Sequence, residues 1–361
     1  MIDHDILIDK LCWYGIDTAW FTAYLRDHTQ SVTLRDGAGI RRVSPPLPNR
    51  MGVFQGSALG PLLFTVFAND LSLHAADAMV MQYADDTQVL VSGKKSDLSA
   101  LILNMENSLA SLDKWFCANA LKVNANKTQL IAFGNRQNLR NIPKFKITFR
   151  DSNLVPYDQV KNLGVTFDKT MSWDGHVGVV SRHCTGTLIG LSHVRHVIPR
   201  GVITSLVTAL VLSQIRYCMP VFGNSSKKNL ARIQKILNFA AKVIFGRGKF
   251  EHAADLREKL GWLEAQQLAD YSTLCLAHRV MQRGEPDSFH AVFRRNFELR
   301  ESATRQDQQL YVPRSRTETG KRRFCARAPA LCNQLPPELV SLSVPRFQRA
   351  LKRHMLTRSP N

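Results

Sequence analysis

The apolar pattern of this chain changes character near residue 175, and that change restricts the folds available to it. Before this point helical and strand-like periods alternate, whereas after it only helical periods continue, to about residue 290. Alternation of the two periods is typical of α+β or α/β domains rather than of helical bundles. We therefore predict a mixed domain over residues 1–175, a helical region over 176–290 and a further segment over 291–361.

Helical spacing of apolar residues predicts two short helices between residues 5 and 35, separated at Gly15. A longer helix is expected to begin with Ser96 as its N-cap. Its apolar residues recur every three or four positions, at Leu98, Ile102, Met105, Leu109, Leu112 and Phe116. The prolines between Ser44 and Arg50 predict a loop there, because proline removes a backbone donor.

Two short β-prone runs, Met79–Tyr83 and Thr87–Val91, flank the residues Ala84, Asp85 and Asp86. This arrangement predicts a β-hairpin with two carboxylates at its tip. Further strand-like runs lie at Thr128–Phe133, Phe145–Phe149 and Val160–Phe167.

The most regular helical pattern covers Lys227–Phe245, and Gly246 is expected to end that helix. One face is apolar, with Leu230, Ile233, Leu237, Ala240 and Ile244. A second face is basic, with Lys228, Arg232, Lys235 and Lys242. From this helix alone, the basic face fits a solvated surface as well as a contact with nucleic acid.

The charge balance favours a polyanionic partner. The chain has 48 Lys or Arg against 29 Asp or Glu, a net charge of +19. The last 68 residues, from Arg294, hold 15 Lys or Arg and five Asp or Glu. Their net charge of 15 − 5 = +10 is over half of the total. Nucleic acid is the commonest partner of such a chain, although a merely basic protein without one has the same composition.

Cysteine usage and hydropathy indicate the cellular compartment in which the protein is expected. The seven cysteines form no CxxC pair, so neither a zinc site nor a redox motif is indicated, and a reducing compartment fits best. No signal peptide is recognisable, and the longest apolar run, near Val202–Ile215, is too short for a membrane span. We expect an intracellular protein of the cytoplasm and nucleus, with no membrane partner.

Chemistry is concentrated in two segments. Two adjacent carboxylates at a hairpin tip, Asp85 and Asp86, can bind a divalent cation, although a solvated acidic turn looks the same in isolation. Upstream, the glycines between Gly52 and Gly60 permit a close approach of the backbone to a ligand. Within this stretch Gln55 can hydrogen-bond a sugar or a base edge.

Together these segments resemble the palm of reverse transcriptases, and more narrowly non-LTR retrotransposon (LINE) enzymes of the Jockey/CR1 kind. The resemblance covers nearly the whole chain. Its motifs occur in order as Gly52–Phe64, Asn69–Leu71, Tyr83–Asp86, Leu112–Thr128 and Lys161–Val165, followed by tail segments at Gly320–Phe324, Arg327–Leu331 and Leu335–Pro337. The implied fold is α+β, a remnant of the right-hand polymerase fold with a partial, mixed α/β palm and a helical thumb and C-terminal region.

The resemblance also implies roles for individual residues. Asp85 and Asp86 would ligate Mg²⁺ or Mn²⁺ for two-metal transfer of a nucleotide from a dNTP to a primer 3′-hydroxyl, and Lys127 would approach the triphosphate. The nucleotide pocket would be lined by Gln55, Gly56 and Tyr83. Leu163 and Gly164 would form the primer grip. The backbone of the RNA template and DNA primer would be contacted by Lys228, Arg232, Lys235 and Lys242.

Two features depart from the family pattern. Phe54 stands where the family usually has proline. The third catalytic carboxylate of the family lies on a strand before the segment that is Asp3-His4-Asp5 here, and this sequence begins at Met1. Asp3 and Asp5 are expected to cap a helix rather than to replace that ligand. We therefore predict that the chain as written does not polymerise.

Three alternatives stay open. A decayed or repurposed remnant that binds nucleic acid without catalysis would also lack the third carboxylate. A group II intron maturase is a second reverse transcriptase branch, but the residues around Gly56 and Asp86 fit the non-LTR pattern better. An unrelated basic structural protein would explain neither the acidic hairpin nor the glycine motif.

Overall fold

The computed structural model describes residues 2–49, 51–54, 56–75, 77–248, 250–299 and 307–357. The chain divides into two compact units, Met1–Tyr157 and Asp158–Asn361. The sequence predicted three regions, with boundaries near residues 175 and 290. The division into two units does not test those boundaries, and they stay a prediction.

The first unit combines helices with small sheets. Its helices are α1 (His4–Trp13), α2 (Ala19–Leu25), α3 (Gly60–Ala68), α4 (Leu98–Ala118) and α5 (Arg136–Arg140). Its strands are β1 (Thr29–Gln30), β2 (Thr33–Arg35), β3 (Arg41–Val43), β4 (Leu47–Pro48), β5 (Met79–Tyr83), β6 (Asp86–Leu90), β7 (Ile147–Phe149) and β8 (Ser152–Leu154). Among the described residues each sheet of this unit has two antiparallel strands: β1 with β4, β2 with β3, β5 with β6, and β7 with β8.

The core of the first unit lies where α1, α3 and α4 meet. Its most buried side chains are Leu7, Leu11, Leu25, Leu63, Phe67, Leu71, Leu112 and Trp115. Val80 and Val89, a cross-strand pair of the β5–β6 hairpin, pack against this core from one side. Burial of these apolar groups is the main stabilising contribution, and it fixes the base of the hairpin to the helices.

Several expectations for the first unit are confirmed and others are wrong. Two short helices separated by Gly15 are present, and so is the hairpin with acids at its tip. The N-cap of α4 is Asp97 rather than Ser96, because Ser96 lies in a preceding 3₁₀ turn. The proline loop is interrupted by the pairing of Leu47–Pro48 with β1. The run at 128–133 forms only one β-bridge, at Leu130.

The second unit begins with a hairpin and is otherwise helical in its described residues. Its strands are β9 (Gln159–Asn162) and β10 (Val165–Asp168). Its helices are α6 (Asp174–Val194), α7 (Arg200–Val207), α8 (Ser213–Arg216), α9 (Met219–Phe222), α10 (Lys227–Phe245), α11 (Ala254–Lys259), α12 (Ala265–Arg283), α13 (Glu318–Arg322), α14 (Phe324–Cys332), α15 (Pro337–Val340) and α16 (Val344–Thr357). The run Val160–Phe167, expected as one strand, is therefore a hairpin bent at Leu163 and Gly164.

The helix α10 is the centre of the second unit. It begins at the Ser226 cap, whose hydroxyl accepts the Asn229 N–H, and it ends at Gly246 with a positive φ of 67°, as the sequence predicts. Its apolar face packs against α6, α7, α11 and α12. A smaller cluster joins α12, α14 and α16 through Ala277, Ala328 and Leu351.

The architecture is α+β, as expected, with small antiparallel sheets confined to residues 29–168 of the described part and helices both within and outside that range. Within the described ranges, no helix combines the length and the apolar character needed to cross a lipid bilayer.

Candidate active site

The β5–β6 hairpin presents two carboxylates at its tip. Its strands pair from Met79 with Leu90 up to Tyr83 with Asp86, which leaves a two-residue turn of Ala84 and Asp85. Ala84 has a positive φ of 51°, a conformation that is unfavourable for a residue with a Cβ. Asp85 therefore lies in the turn itself, and Asp86 lies at the first paired position of β6.

Both carboxylates at the tip are exposed, and so is Tyr83, at 66% of its surface. Within the described part of the chain, neither Asp85 nor Asp86 forms a hydrogen bond or an ion pair with a side chain. Two adjacent carboxylates without a protein partner present oxygen ligands of the kind that Mg²⁺ and Mn²⁺ prefer. The hairpin can thus supply two ligands of a metal site.

A third ligand is not supplied by the described residues. They contain no group of three or more His, Cys, Asp or Glu side chains that could hold a metal ion. Asp3 is occupied elsewhere, because its carboxylate accepts the N–H groups of Asp5 and Ile6 at 3.0 and 3.2 Å and caps α1. Its predicted role as a helix cap is confirmed, and a complete two-metal site does not fit the described residues alone.

The glycine-rich segment turns sharply into α3. Ser57 Oγ donates to the Phe54 carbonyl at 2.8 Å and accepts the Gly60 N–H at 2.9 Å, so one hydroxyl closes the turn from both sides. Gly56 has a φ of 85°, which favours glycine, and no atom lies where its Cβ would be. Gly56 thus leaves open space at this turn, while Gln55 lies outside the described residues.

Ile2 and His4 hold the start of the glycine-rich segment through hydrogen bonds to Gly52. Gly52 N–H donates to the Ile2 carbonyl at 2.6 Å, and His4 Nε2 lies 2.7 Å from the Gly52 carbonyl oxygen, which requires the ring nitrogen to be the donor. No sequence pattern indicated this role for His4, because the two residues lie 48 positions apart.

Phe54, the residue that departs from the family pattern, is held by aromatic neighbours. Its ring meets Tyr24 edge-on at 5.3 Å and His28 at 4.3 Å, while Trp20 stacks on the Tyr24 ring at 5.2 Å. Such aromatic contacts stabilise the backbone around the ring. These contacts with Tyr24 and His28 hold the Phe54 side chain in place.

Lys127 ends a 3₁₀ turn, Ala125–Lys127, and its side chain is exposed. It forms no ion pair with Asp85 or Asp86 among the described residues. The structure thus leaves its ammonium accessible, and its predicted approach to a triphosphate stays a prediction.

In the second unit, Leu163 and Gly164 form the tight turn between β9 and β10, with φ values of 44° and 80°. Tyr217, 54 residues further along the chain, donates its hydroxyl to the Leu163 carbonyl at 2.6 Å. A Cβ added at Gly164 would lie 3.2 Å from the Tyr217 ring. Tyr217 therefore fixes the turn, and nothing in the local sequence pattern indicated it.

The basic face of α10 is present as the spacing predicts. Lys228 and Lys235 are exposed, and Arg232 and Lys242 are half-buried. Arg232 Nη1 lies 3.5 Å from the carbonyl oxygen of Asp174, at the first turn of α6. Three of these cations follow one another along a single helix face, a geometry that suits successive phosphates of a backbone.

Residues 1–167 match the family described as reverse transcriptase (RNA-dependent DNA polymerase). Over 263 residues, 67% of this chain, it is 30% identical to the probable RNA-directed DNA polymerase from transposon BS of Drosophila melanogaster. Over 224 residues, 59% of this chain, it is 25% identical to the RNA-directed DNA polymerase from mobile element jockey of the same species. The counterpart from Drosophila funebris is 24% identical over 216 residues, 57% of this chain.

The chain spans about a quarter of the length of these relatives: 27%, 24% and 23%. The family match covers the glycine-rich turn, the acidic hairpin, Lys127 and the turn at Leu163 and Gly164. The chain therefore belongs to the reverse transcriptases of non-LTR, LINE-type retrotransposons.

Proposed function

We propose that this chain is part of an RNA-directed DNA polymerase that acts on an RNA template, a DNA primer and dNTPs. In this proposal residues 1–175 form part of the palm, 176–290 the thumb and connection, and 291–361 a basic extension. The single observation that carries it is the β5–β6 hairpin, which presents Asp85 and Asp86 without partners among the described residues, inside the segment matched by the family. With RNA and DNA as its proposed partners, the protein would act in the cytoplasm and nucleus.

We assign the residue roles as follows. Asp85 and Asp86 would hold Mg²⁺ or Mn²⁺, and such an ion would supply charge stabilisation for nucleotide transfer. Lys127 neutralises charge on the triphosphate. Gln55, Gly56 and Tyr83 line the nucleotide pocket, and Leu163 and Gly164 position the primer end. The duplex backbone is contacted by Lys228, Arg232, Lys235 and Lys242.

We further propose that these 361 residues alone do not polymerise. The support is the absence of a third carboxylate, histidine or cysteine beside Asp85 and Asp86 among the described residues. Two carboxylates bind a divalent cation weakly, because affinity rises with the number of charged ligands.

Primer extension by the purified chain tests this proposal. With a labelled DNA primer on an RNA template, dNTPs and Mg²⁺ or Mn²⁺, we expect binding of the primer–template without extension. Extension that disappears in Asp85→Asn would contradict the proposed inactivity and would confirm the catalytic role of the hairpin.

Metal binding can be measured without catalysis. We expect Mn²⁺ titrations followed by electron paramagnetic resonance to show weak binding by the native chain and a clear loss in Asp85→Asn/Asp86→Asn. The variant Asp9→Asn/Asp77→Asn removes the same charge from two other exposed positions and should bind like the native chain. Equal binding by both variants would remove the hairpin from the metal site.

A second function is favoured by the same shortage of ligands. A chain with two metal-binding carboxylates, a net charge of +19 and a basic helix face can bind nucleic acid without processing it. In that case the affinity for primer–template would be the same with Mg²⁺ and with a chelator. In a polymerase fragment, Mg²⁺ should strengthen the binding of a complementary dNTP to the complex.

A further inference from the structure

An arm of four short strands projects its side chains into solvent in the first unit. We define the basic ribbon as residues 29–48, in which β1 pairs with β4 at the base and β2 pairs with β3 towards the tip. Every residue of these four strands is exposed. A two-stranded ribbon that buries none of its own strand residues gains little from folding on its own. Its exposed surface is therefore available for a partner.

Two arginines stand directly opposite each other on this ribbon. Arg35 of β2 and Arg41 of β3 are cross-strand partners in the register, so their side chains leave the same face. Like charges in this position destabilise a strand pair. Neither arginine forms an ion pair within the described residues. A site that places two unpaired guanidinium groups side by side suits an anion that bridges them.

Asp36, next to Arg35 in the chain, is paired with Arg42 rather than with the two opposed arginines. Asp36 accepts the N–H groups of Ala38 and Ile40 at 3.1 and 3.0 Å, which builds the turn at the ribbon tip. Its other oxygen accepts Arg42 Nε at 3.1 Å. The hydrogen bond from Arg42, together with those from the turn, lowers the pKa of Asp36. Arg42 is thus balanced by Asp36, and the opposed arginines are not.

Large apolar side chains accompany the charges. Five of them are more than half exposed: Val32, Leu34, Ile40, Val43 and Leu47. Exposed apolar groups next to arginines mark an interaction surface rather than a solvated loop. Sugar and base surfaces of nucleic acid offer apolar contacts of this kind beside their phosphates.

We propose that the basic ribbon is a binding site for the backbone of a nucleic-acid duplex, with Arg35 and Arg41 on its phosphates. A two-stranded ribbon has the width that the major groove of B-form DNA admits, which favours a DNA duplex over an RNA–DNA hybrid. The proposal goes beyond nucleotide transfer and rests on the proposed function only in sharing nucleic acid as the partner. It adds a contact outside the acidic hairpin, the primer grip and α10.

The test is equilibrium binding of the full chain to fluorescent duplexes, without metal or nucleotides. One arm uses a DNA duplex and the other an RNA–DNA hybrid of the same sequence. For Arg35→Ala/Arg41→Ala we expect the affinity for DNA at ~50 mM salt to fall at least about tenfold, because two phosphate contacts and the counterions that they release are lost. The slope of log K against log salt should fall by about 1.8. The control Lys94→Ala/Lys95→Ala removes two exposed charges elsewhere in this unit and should lose less than about twofold.

The variant Arg41→Glu distinguishes a loss of DNA binding from a loss of folding stability. It places opposite charges across the ribbon, so the midpoint of thermal unfolding should stay unchanged or rise while the affinity for DNA falls. Unchanged DNA binding in both ribbon variants would overturn the proposal. An equal loss in the lysine control would also overturn it. If the native chain binds no nucleic acid, the proposed function fails as well, whereas native binding with unaffected ribbon variants removes only the ribbon.

Discussion

The ammonium group of Lys10 lies 2.6 Å from the Asp70 carboxylate, and this ion pair joins α1 to the segment after α3. The second oxygen of Asp70 accepts the indole N–H of Trp115 at 3.1 Å. Lys10 also donates to the Phe67 carbonyl at 2.7 Å and lies over the Trp115 ring, 4.6 Å from its centre. Asp70 therefore connects three parts of the first core through groups that are mostly shielded from water.

We expect Asp70→Ala to lower the free energy of unfolding of the first unit by about 2 kcal/mol. The reason is that the Lys10 ammonium and the Trp115 N–H lose their acceptor in a partly buried site. Urea denaturation followed by tryptophan fluorescence measures the change. Asp77→Ala, at an exposed position, should change stability by less than about 0.5 kcal/mol. Equal losses in both variants would show that the network contributes nothing specific.

Asp168 should make the second unit sensitive to acid. Burial by itself raises the pKa of Asp168, but hydrogen bonds from Thr170, Ser172 and Trp173 outweigh it, and the pKa lies below its ordinary value. A lowered pKa contributes stability that is complete above the unfolded value of about 3.9 and is lost as pH falls through the folded value.

The measurement is the unfolding free energy of native chain and Asp168→Asn as a function of pH. We expect the native chain to be more stable at neutral pH and the difference to shrink below about pH 3.9. Asp158→Asn is the control, because its ion pair with Lys169 is exposed and contributes little. A difference between native chain and Asp168→Asn that stays constant down to pH 2 would contradict the lowered pKa.

Two glycines of the second unit should respond to alanine in opposite directions. Gly164→Ala introduces a Cβ at a φ of 80° and against the Tyr217 ring, so we expect a loss of at least about 1 kcal/mol. Gly186 lies inside α6 with no atom where a Cβ would be, so Gly186→Ala should stabilise the unit by up to about 1 kcal/mol. Thermal unfolding distinguishes them, and a loss in both would refute the assignment.

Tyr217→Phe tests how much the Tyr217 hydroxyl contributes to the turn at Leu163 and Gly164. Removal of the hydroxyl deletes the hydrogen bond to the Leu163 carbonyl while the ring contact with Gly164 remains. We expect faster amide hydrogen exchange over residues 162–165, with little change in global stability, because the bond is half exposed. Exchange rates equal to those of the native chain would show that the ring alone holds the turn.

The tip of the acidic hairpin should become more stable when Ala84 is replaced by glycine. Ala84 has a φ of 51°, which glycine adopts without a steric penalty, so Ala84→Gly should gain up to about 1 kcal/mol. Ala110→Gly, in the middle of α4, should lose about that amount. A loss in Ala84→Gly would indicate that the Cβ makes a contact that outweighs its strained backbone.

Local chemistry made the acidic hairpin and α10 predictable. Alternating residues on either side of Asp85 and Asp86 define a hairpin within twelve positions of the chain, and the stripe of α10 with Gly246 behind it defines a helix and its end. In both cases the residues that decide the structure are close neighbours in sequence. The candidate metal ligands, the glycine turn and the basic face therefore follow from the sequence without any tertiary contact.

The same reasoning could not find the residues that hold these elements in place. His4 reaches Gly52 across 48 positions, Tyr217 reaches Leu163 across 54, and Lys10 reaches Asp70 across 60. The run around Leu163 reads as one strand because its apolar period continues through the turn. The register that sets Arg35 opposite Arg41 likewise depends on the turn built by Asp36.

The sequence by itself determined the acidic hairpin, the helix α10, the family, and the acidic and basic residue types available for chemistry, because periodicity and motif order are local. Only the tertiary structure decided which carboxylates are free, since Asp3 caps a helix and Asp70 binds Lys10 while Asp85 and Asp86 have no protein partner among the described residues. Whether a charged group is neutralised depends on neighbours brought together by packing, and packing joins residues that the sequence keeps far apart.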